Sequence, residues 1–334
     1  MNAPSVSEQE ADERLARNGK DIDALIAKAD HRLAAGERRA AAAFYGAALA
    51  ASRQGQTGER AGLARAAAQA ATLQAGMLPH IVHHLEGAGH PRADWHPRFA
   101  KALAVLSGQA ARDPVDVRYP QMPTAYFHPD LPETPFHDAS ALEWARAIED
   151  EWQTVRHEGE TLLTGGEALT PYVRKVRHRP QGDVHGMLEN SDWTTFELTA
   201  KGTPDPERVA LCPQTFDLVT THAPLCDIEG RAPSIMFSLL RSGKHIPPHH
   251  GMINARLICH LPLIVPGDGV LRVGDERRKW EEGKLLVFDD SVEHEARNHA
   301  ASDRLVLIFD IWHPALEPAE KAQITALFQA VDAY

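Results

Sequence analysis

From about Asp192 onward the chain is written in short apolar runs: WTTFELTA, SIMFSLLR, ARLICHLPLIV, GVLRVG, KLLVFDD and RLVLIFDIWH, each bounded by Gly, Pro or Asp turns. Runs this short and this rich in Val, Ile, Leu and Phe read as strands. With turns roughly every 8–12 residues and no helix between them, about seven or eight such strands can close only as a sandwich or a barrel. A final segment, Glu317–Val331, is helical in pattern.

The first hundred or so residues obey a different rule. Alanine dominates, and Ile22, Leu25, Ala29 and Leu33 recur at helical spacing before Gly36 interrupts them. Ala41, Phe44, Tyr45, Ala48 and Leu49 then resume the period, and Arg60–Leu85 supplies further helix. Gly, an Ala five positions on, an aromatic and then Ala-Leu is the helix-turn-helix wording of a tetratricopeptide repeat. No second copy at about 34 residues is evident, so a generic helical hairpin and a true repeat both stay open. Prolines 114, 120, 123, 129, 132 and 135 remove backbone donors between Ser107 and Pro135, which predicts a linker or a loop leading into a domain. An amphipathic helix is expected over Ala141–Leu163, opened by Asp138 and Ser140, with Leu142, Trp144, Ala145, Ile148 and Trp152 on one side. At 334 residues the chain exceeds one ordinary core. The expected α+β division is a helical, tetratricopeptide-like region over 1–110, a Pro-rich linker over 111–135, and a β-core with flanking helices over 136–334.

Charge and composition exclude several function classes. A net charge of −11 argues against a surface that wraps nucleic acid. No apolar run approaches the roughly 18 residues of a membrane span. The opening MNAPSVSEQEADERLARN has no basic region followed by an apolar stretch, so no secretory signal is visible. Cys212, Cys226 and Cys259 cannot all pair and form no CxxC, and a cytoplasmic location is expected.

Histidine is over-used, with 19 in the chain. His80, His83 and His84 lie on one predicted helix, and His80 and His84 share a face. No third donor stands at a suitable spacing and the glutamate of HExxH is missing, so a packed or solvated helix face is expected. His31, His90, His96, His128, His137, His157, His178, His185 and His222 follow no pattern. The C-terminal set differs. SGKHIPPHHGMINARLICH places His245, His249, His250 and His260 around one strand start, and FDDSVEHEARNHAASDRLVLIFDIWH places His294, His299 and His313 around another. Neutral imidazole is the commonest first-row metal ligand, and oxygenase iron sites draw histidines from two separate strands. Arg304 opens the next strand and can clamp a carboxylate with two parallel hydrogen bonds. An iron site with a dicarboxylate co-substrate and a plain metal-binding cupin fit this layout equally.

The runs PHHGMINARLICHLPLIVP, KWEEGKLLVFDDSVEHEA and SDRLVLIFDIWHP, with YFHPDLPETPFHD and DWTTFELTAKG upstream, resemble the aspartyl/asparaginyl β-hydroxylase family over about Tyr119–Leu316. The resemblance implies a double-stranded β-helix (jelly-roll, cupin-like) core that uses Fe(II), 2-oxoglutarate and O2. Animal members carry a tetratricopeptide region before it, in agreement with the helical N-terminus. By position, His249 and His294 match the iron ligands. The residue two after His249, a carboxylate in most of the superfamily, is Gly251 here; the family shares that departure, with water in its place. The resemblance assigns Arg304 and Ser238 to the distal carboxylate of 2-oxoglutarate, and His260 and Trp193 to its metal-bound end. It makes Asp290 an acceptor that orients water or a ligand, and Arg256 a substrate contact. One departure stands out: Ile258 occupies a position where the family often has arginine, so an anchor for an anionic group is missing.

The implied activity is hydroxylation of an unactivated carbon, foremost the β-carbon of an Asp or Asn residue in a peptide or protein. Hydroxylation of a free amino acid or small natural-product intermediate, and a non-catalytic cupin-like binding module, are the alternatives. The expected partners are the peptide, protein or small-molecule substrate, and a protein partner at the helical N-terminal region, with no nucleic acid and no membrane.

Overall fold

The structure is a computed structural model that describes residues 6–112, 117–176, 179–180 and 186–334. The chain divides into two compact units. One holds helices α1 (Glu8–Arg17), α2 (Ile22–Ala34), α3 (Arg38–Arg53) and α4 (Arg60–Gly87), together with the C-terminal Ala326–Tyr334. Asp21 opens α2 by accepting the Ala24 N–H at 3.1 Å, and its carboxylate also receives Arg14. The residues at helical spacing form the contact: Ile22, Leu25 and Ala29 of α2 pack with Ala41, Phe44, Tyr45 and Ala48 of α3. Gly36, at φ 81°, takes the left-handed conformation between the two helices, a place that favours glycine. The histidine-bearing face of α4 is packed. His80 Nε2 lies 2.9 Å from the Ala330 carbonyl, and its ring is 5.1 Å from that of Tyr334. Of the histidines without pattern, His178 and His185 lie outside the described residues.

The other unit carries helices α5 (Pro97–Leu106), α6 (Glu143–Asp150), α7 (Trp152–Gly165), α8 (Pro206–Leu211) and α9 (Pro213–His222), and the start of α10 (Pro318–Asp332). Its strands are β1 (Phe136–His137), β2 (Thr170–Pro171), β3 (Trp193–Ala200), β4 (Thr203–Pro204), β5 (Ile235–Leu240), β6 (His245–His249), β7 (Arg256–Ile264), β8 (Gly269–Val273), β9 (Glu276–Lys279), β10 (Leu286–Phe288), β11 (His294–Asn298) and β12 (Arg304–Trp312). They make two antiparallel sheets. The larger has the order β1-β10-β7-β12-β5-β3-β2, with β4 paired to β3, and the smaller is β6-β11-β8-β9.

Strand parity decides which side chains reach which layer. On β12, Leu305, Leu307, Phe309 and Ile311 face helices α6, α7 and α9, packing with Ile148, Val155 and Leu162. The alternate residues Val306 and Ile308 enter a second core with Met236 and Leu240 of the large sheet and Leu271, Val273 and Ala296 of the small one. A large sheet with helices on its outer face and a small sheet over its inner face is the α+β, cupin-like jelly roll expected from the sequence.

One expectation needs correction. The single helix over Ala141–Leu163 is broken at Glu151, whose φ of −102° and ψ of 13° end α6 before α7 begins. At the break Trp152 lies over Gly283, where a Cβ would come within 2.7 Å of its ring. From residue 117 onward the proline-rich stretch runs as an irregular loop held by hydrogen bonds. The Met122 N–H donates to the Ser291 carbonyl at 2.7 Å and the Thr124 N–H to the Gly251 carbonyl at 2.9 Å. The His128 N–H donates to Asn254 Oδ1 at 2.7 Å, and Tyr126 is buried. The prolines remove regular pairing, but the remaining donors hold the segment against the loops that carry Gly251 and Asp290. No described helix is long and apolar enough to cross a membrane.

Candidate metal and co-substrate site

β6 and β11 are neighbours in the small sheet, and their register sets His294 directly opposite His249. The ring centroids are 4.1 Å apart, with the planes at 52°. Each ring is oriented by its own strand. His249 Nδ1 lies 2.8 Å from the Pro247 carbonyl, and His294 Nδ1 lies 3.1 Å from that of Val292. A carbonyl can only accept, so both Nδ1 atoms carry the proton and both lone pairs sit on Nε2. Burial, and then the neighbouring His249, hold His294 well below the ordinary histidine value. Two neutral imidazoles side by side, each fixed in one tautomer by a backbone carbonyl, are the arrangement that metal ligation requires.

The absence of a carboxylate two residues after His249 has a steric counterpart. A Cβ on Gly251 would fall 2.2 Å from Asp290 Cγ and Oδ2 and 2.3 Å from Oδ1. The Asp290 carboxylate therefore occupies the volume that a side chain at 251 would need. The Gly251 N–H also donates to the Asp290 carbonyl at 2.6 Å, which locks the two loops together. Burial pushes the Asp290 carboxyl up to about 7, against the pull of Arg256, whose Nη2 is 3.5 Å from Oδ2. Asp290 thus packs over Gly251, two residues after His249, and beside Arg256. Its fit over Gly251 went unread in the sequence, where the only signal was the glycine itself.

Arg256 is placed less simply. Its Nη1 donates to Asp310 Oδ2 at 3.0 Å, so the guanidinium lies between two carboxylates, Asp310 and Asp290. Burial pulls its pKa down, but Asp310 and Asp290 outweigh this and hold it above the ordinary value. Asp310 also accepts the Ser234 N–H at 2.6 Å. Sequence reasoning missed Asp310, although its even spacing from Arg304 puts both on the same face of β12.

The remaining expected residues line that inner face. Arg304 is 1% exposed, and none of its three guanidinium nitrogens has a hydrogen-bond partner among the described residues. Its Cζ lies 4.6 Å from the centre of the Trp280 ring. Burial brings its pKa down to about 9. Ser238 is paired with Val306 across β5 and β12, and the Trp193 Nε1–H donates to its Oγ at 3.0 Å. The Trp193 ring stacks on Tyr172 at 4.2 Å and lies 6.3 Å from His249. His260 is paired with Ile308, and its Nδ1 is buried without a partner among the described residues. Burial, with Arg304 nearby, keeps its ring neutral. Phe288 joins the two sheets, 5.0 Å from His260 and 5.6 Å from His294. His245, by contrast, binds Glu295 at 2.6 Å, and His313 accepts the Ala315 N–H at 3.1 Å, both away from the pair.

This donor set fits a metal ion and a dicarboxylate. A buried guanidinium with three unsatisfied nitrogens calls for an anion, because burying such a charge alone is costly. It shares the inner face with the unsatisfied His260 Nδ1, and the two Nε2 lone pairs can hold the metal.

The family model for aspartyl/asparaginyl β-hydroxylase matches residues 149–314, the stretch that holds Trp193, the histidine pair, Asp290, Arg304 and Asp310. This stretch of the chain belongs to that family. The aspartyl/asparaginyl β-hydroxylase of Mus musculus is 33% identical over 186 residues, covering 55% of this chain and 24% of that protein. The Homo sapiens protein of the same name is 32% identical over 186 residues, 55% of this chain and 23% of its own. The ornithine lipid ester-linked acyl 2-hydroxylase of Rhizobium tropici is 34% identical over 192 residues, 57% of this chain and 64% of that one. The match thus spans less than two thirds of each relative, and the family's named members hydroxylate chemically different groups.

Proposed function

We propose that this chain is an Fe(II)- and 2-oxoglutarate-dependent dioxygenase that hydroxylates an unactivated carbon. The observation that carries the reading is Arg304, a fully buried guanidinium without a partner among the described residues, on the same inner face as Ser238 and His260. When bound, iron with 2-oxoglutarate and O2 supplies the oxidising power to convert a C–H bond to C–OH, leaving succinate and CO2.

The protein's part is binding, orientation and exclusion of water. His249 and His294 present Nε2, steadied by the Pro247 and Val292 carbonyls. Arg304 receives the distal carboxylate of 2-oxoglutarate. Ser238 Oγ accepts from Trp193 and so has its own proton to donate to that carboxylate. His260 stands toward the metal-bound end. Asp290, whose carboxyl titrates near neutrality, accepts from or donates to water beside Gly251. Val306, Ile308, Phe288 and Trp280 form an apolar wall around these groups.

The relatives' names supply two substrates: an aspartyl or asparaginyl residue, whose β-carbon is hydroxylated, and a lipid acyl chain. A free amino acid or small natural product remains an alternative. A non-catalytic binding module, which would hold an anion at Arg304 without forming succinate, is the other alternative. The three free, buried cysteines suit a cytoplasmic setting, and the helical unit, read as tetratricopeptide-like, is proposed to recruit a protein partner. Succinate release from 2-oxoglutarate under O2 with Fe(II) tests the proposal. Its absence with every substrate pool, together with no 2-oxoglutarate binding, would overturn it.

A further inference from the structure

We infer that the substrate end of this site takes an uncharged, aliphatic group and rejects a carboxylate. The inference rests on the dioxygenase reading and concerns the end of the barrel beyond His260. Register orders the inner face along β12: Arg304 pairs with Leu240, Val306 with Ser238, Ile308 with His260, Asp310 with Ile258 and Trp312 with Arg256. Arg304 therefore marks the co-substrate end, and Ile258 and Arg256 lie on the far side of His260. The histidine pair reaches toward both ends: Phe288, 5.6 Å from His294, is paired with Ile258, and Trp193, 6.3 Å from His249, is paired with Leu240, which also stands opposite Arg304.

Charge at that far end is set against an anion. Its cation, Arg256, already lies between Asp310 at 3.0 Å and Asp290 at 3.5 Å. Among the described residues an incoming aspartate would have to compete with Asp310 and Asp290 for this one guanidinium, at buried positions where salt screens little. The Arg256 Nε–H, buried without a partner among the described residues, is enough for the carbonyl oxygen of an amide.

The rest of this end is apolar. Met236 and Phe288 belong to the inner core and Ile258 packs against it. At the rim Tyr172, Met252 and Met122 are 39%, 42% and 52% exposed, unusual for such side chains in one neighbourhood. Tyr172 is stacked on Trp193, while Met252 follows Gly251 and Met122 is hydrogen-bonded to Ser291, next to Asp290. Flexible thioethers around an aromatic ring suit aliphatic groups of varied shape.

The test uses the full chain loaded with Mn(II) and 2-oxoglutarate and titrated by calorimetry. The probes are N-acetyl-aspartate amide, N-acetyl-leucine amide and octanamide. The 2-oxoglutarate titration comes first; if it shows no binding, the dioxygenase reading fails rather than this inference. Given 2-oxoglutarate binding, we expect at least one aliphatic probe to bind ~10-fold or more tighter than the aspartate probe. The leucine probe alone would mark a side-chain substrate and octanamide alone an acyl chain. Ile258→Arg should reverse the preference, and Asp310→Asn, which frees Arg256, should narrow it should the first variant misfold. Equal or tighter binding of the aspartate probe by the wild type, or no binding of either aliphatic probe, overturns the inference.

Discussion

The proposed function makes Arg304 a side chain kept for a ligand at the expense of the fold, so replacing it should show both effects with opposite signs. Burial, with no counter-ion among the described residues, lowers its pKa from the ordinary arginine value to about 9. At about 1.4 kcal/mol per pH unit, that difference sets the cost of holding the charged guanidinium in the fold at roughly 5 kcal/mol. The cost is fully present below about pH 9. It is relieved only as pH rises from there toward the ordinary arginine value, where the unfolded chain keeps a proton that the folded chain has released. The Trp280 contact at 4.6 Å returns about 1 kcal/mol, and relaxation lowers the cost further. Arg304→Met, similar in length and uncharged, is therefore expected to stabilise the ligand-free protein by about 2 kcal/mol. At roughly 2–4 °C per kcal/mol, Tm should rise by several degrees. In the wild type, 2-oxoglutarate at about a hundredfold over its Kd should add about 2.7 kcal/mol, and in the variant nothing. Calorimetric melts of both proteins with and without 2-oxoglutarate decide the matter. A variant that melts below the wild type without ligand, or that gains equally from 2-oxoglutarate, would refute the reasoning.

Three further outcomes are expected. Gly251→Ala brings a Cβ to 2.2 Å from the Asp290 carboxylate, and should cost about 1–3 kcal/mol by overpacking; adding Asp290→Ala should recover most of that in urea denaturation. Trp193→Phe removes the Nε1–H···Ser238 bond and should weaken 2-oxoglutarate binding several-fold, measurable as a raised KM for the co-substrate, while the fold loses about 1 kcal/mol. Glu320 on α10 is held below the ordinary carboxylate range, since the Glu317 N–H, His128 and Arg98 outweigh the upward push of burial. Its stabilisation is present above the ordinary value and is lost as pH falls through the lowered one, so Glu320→Gln should flatten the acid limb of Tm against pH.

Local pattern was legible where a single period governs a segment. WTTFELTA became β3 along its whole length and RLVLIFDIW became β12, because both are short runs buried on both faces. The hairpin of α2 and α3 followed from its alanine and aromatic spacing. What failed to read were relations between distant segments. Nothing in the order of residues says that Asp290 lies over Gly251, or that Asp310 and Asp290 flank Arg256, because strand neighbours are chosen by the closed sheet. The break at Glu151 comes next to Trp152, which lies over Gly283 far along the chain, and helical periodicity continues across it. Prolines 120 to 135 announced the lack of regular structure correctly, but their spacing carried no information about the donors that pin Met122, Thr124 and His128. The histidine pair was legible only through resemblance; its parts were visible, and the register that joins them was not.

The central claim is that His249 and His294 hold iron next to a co-substrate anchored by Arg304. Anaerobic addition of Fe(II) and 2-oxoglutarate to the intact chain, followed by visible absorption, tests it most directly. The account predicts a weak metal-to-ligand charge-transfer band that is lost in His249→Ala and in His294→Ala. No band in the wild type, or an unchanged band in both variants, would contradict it.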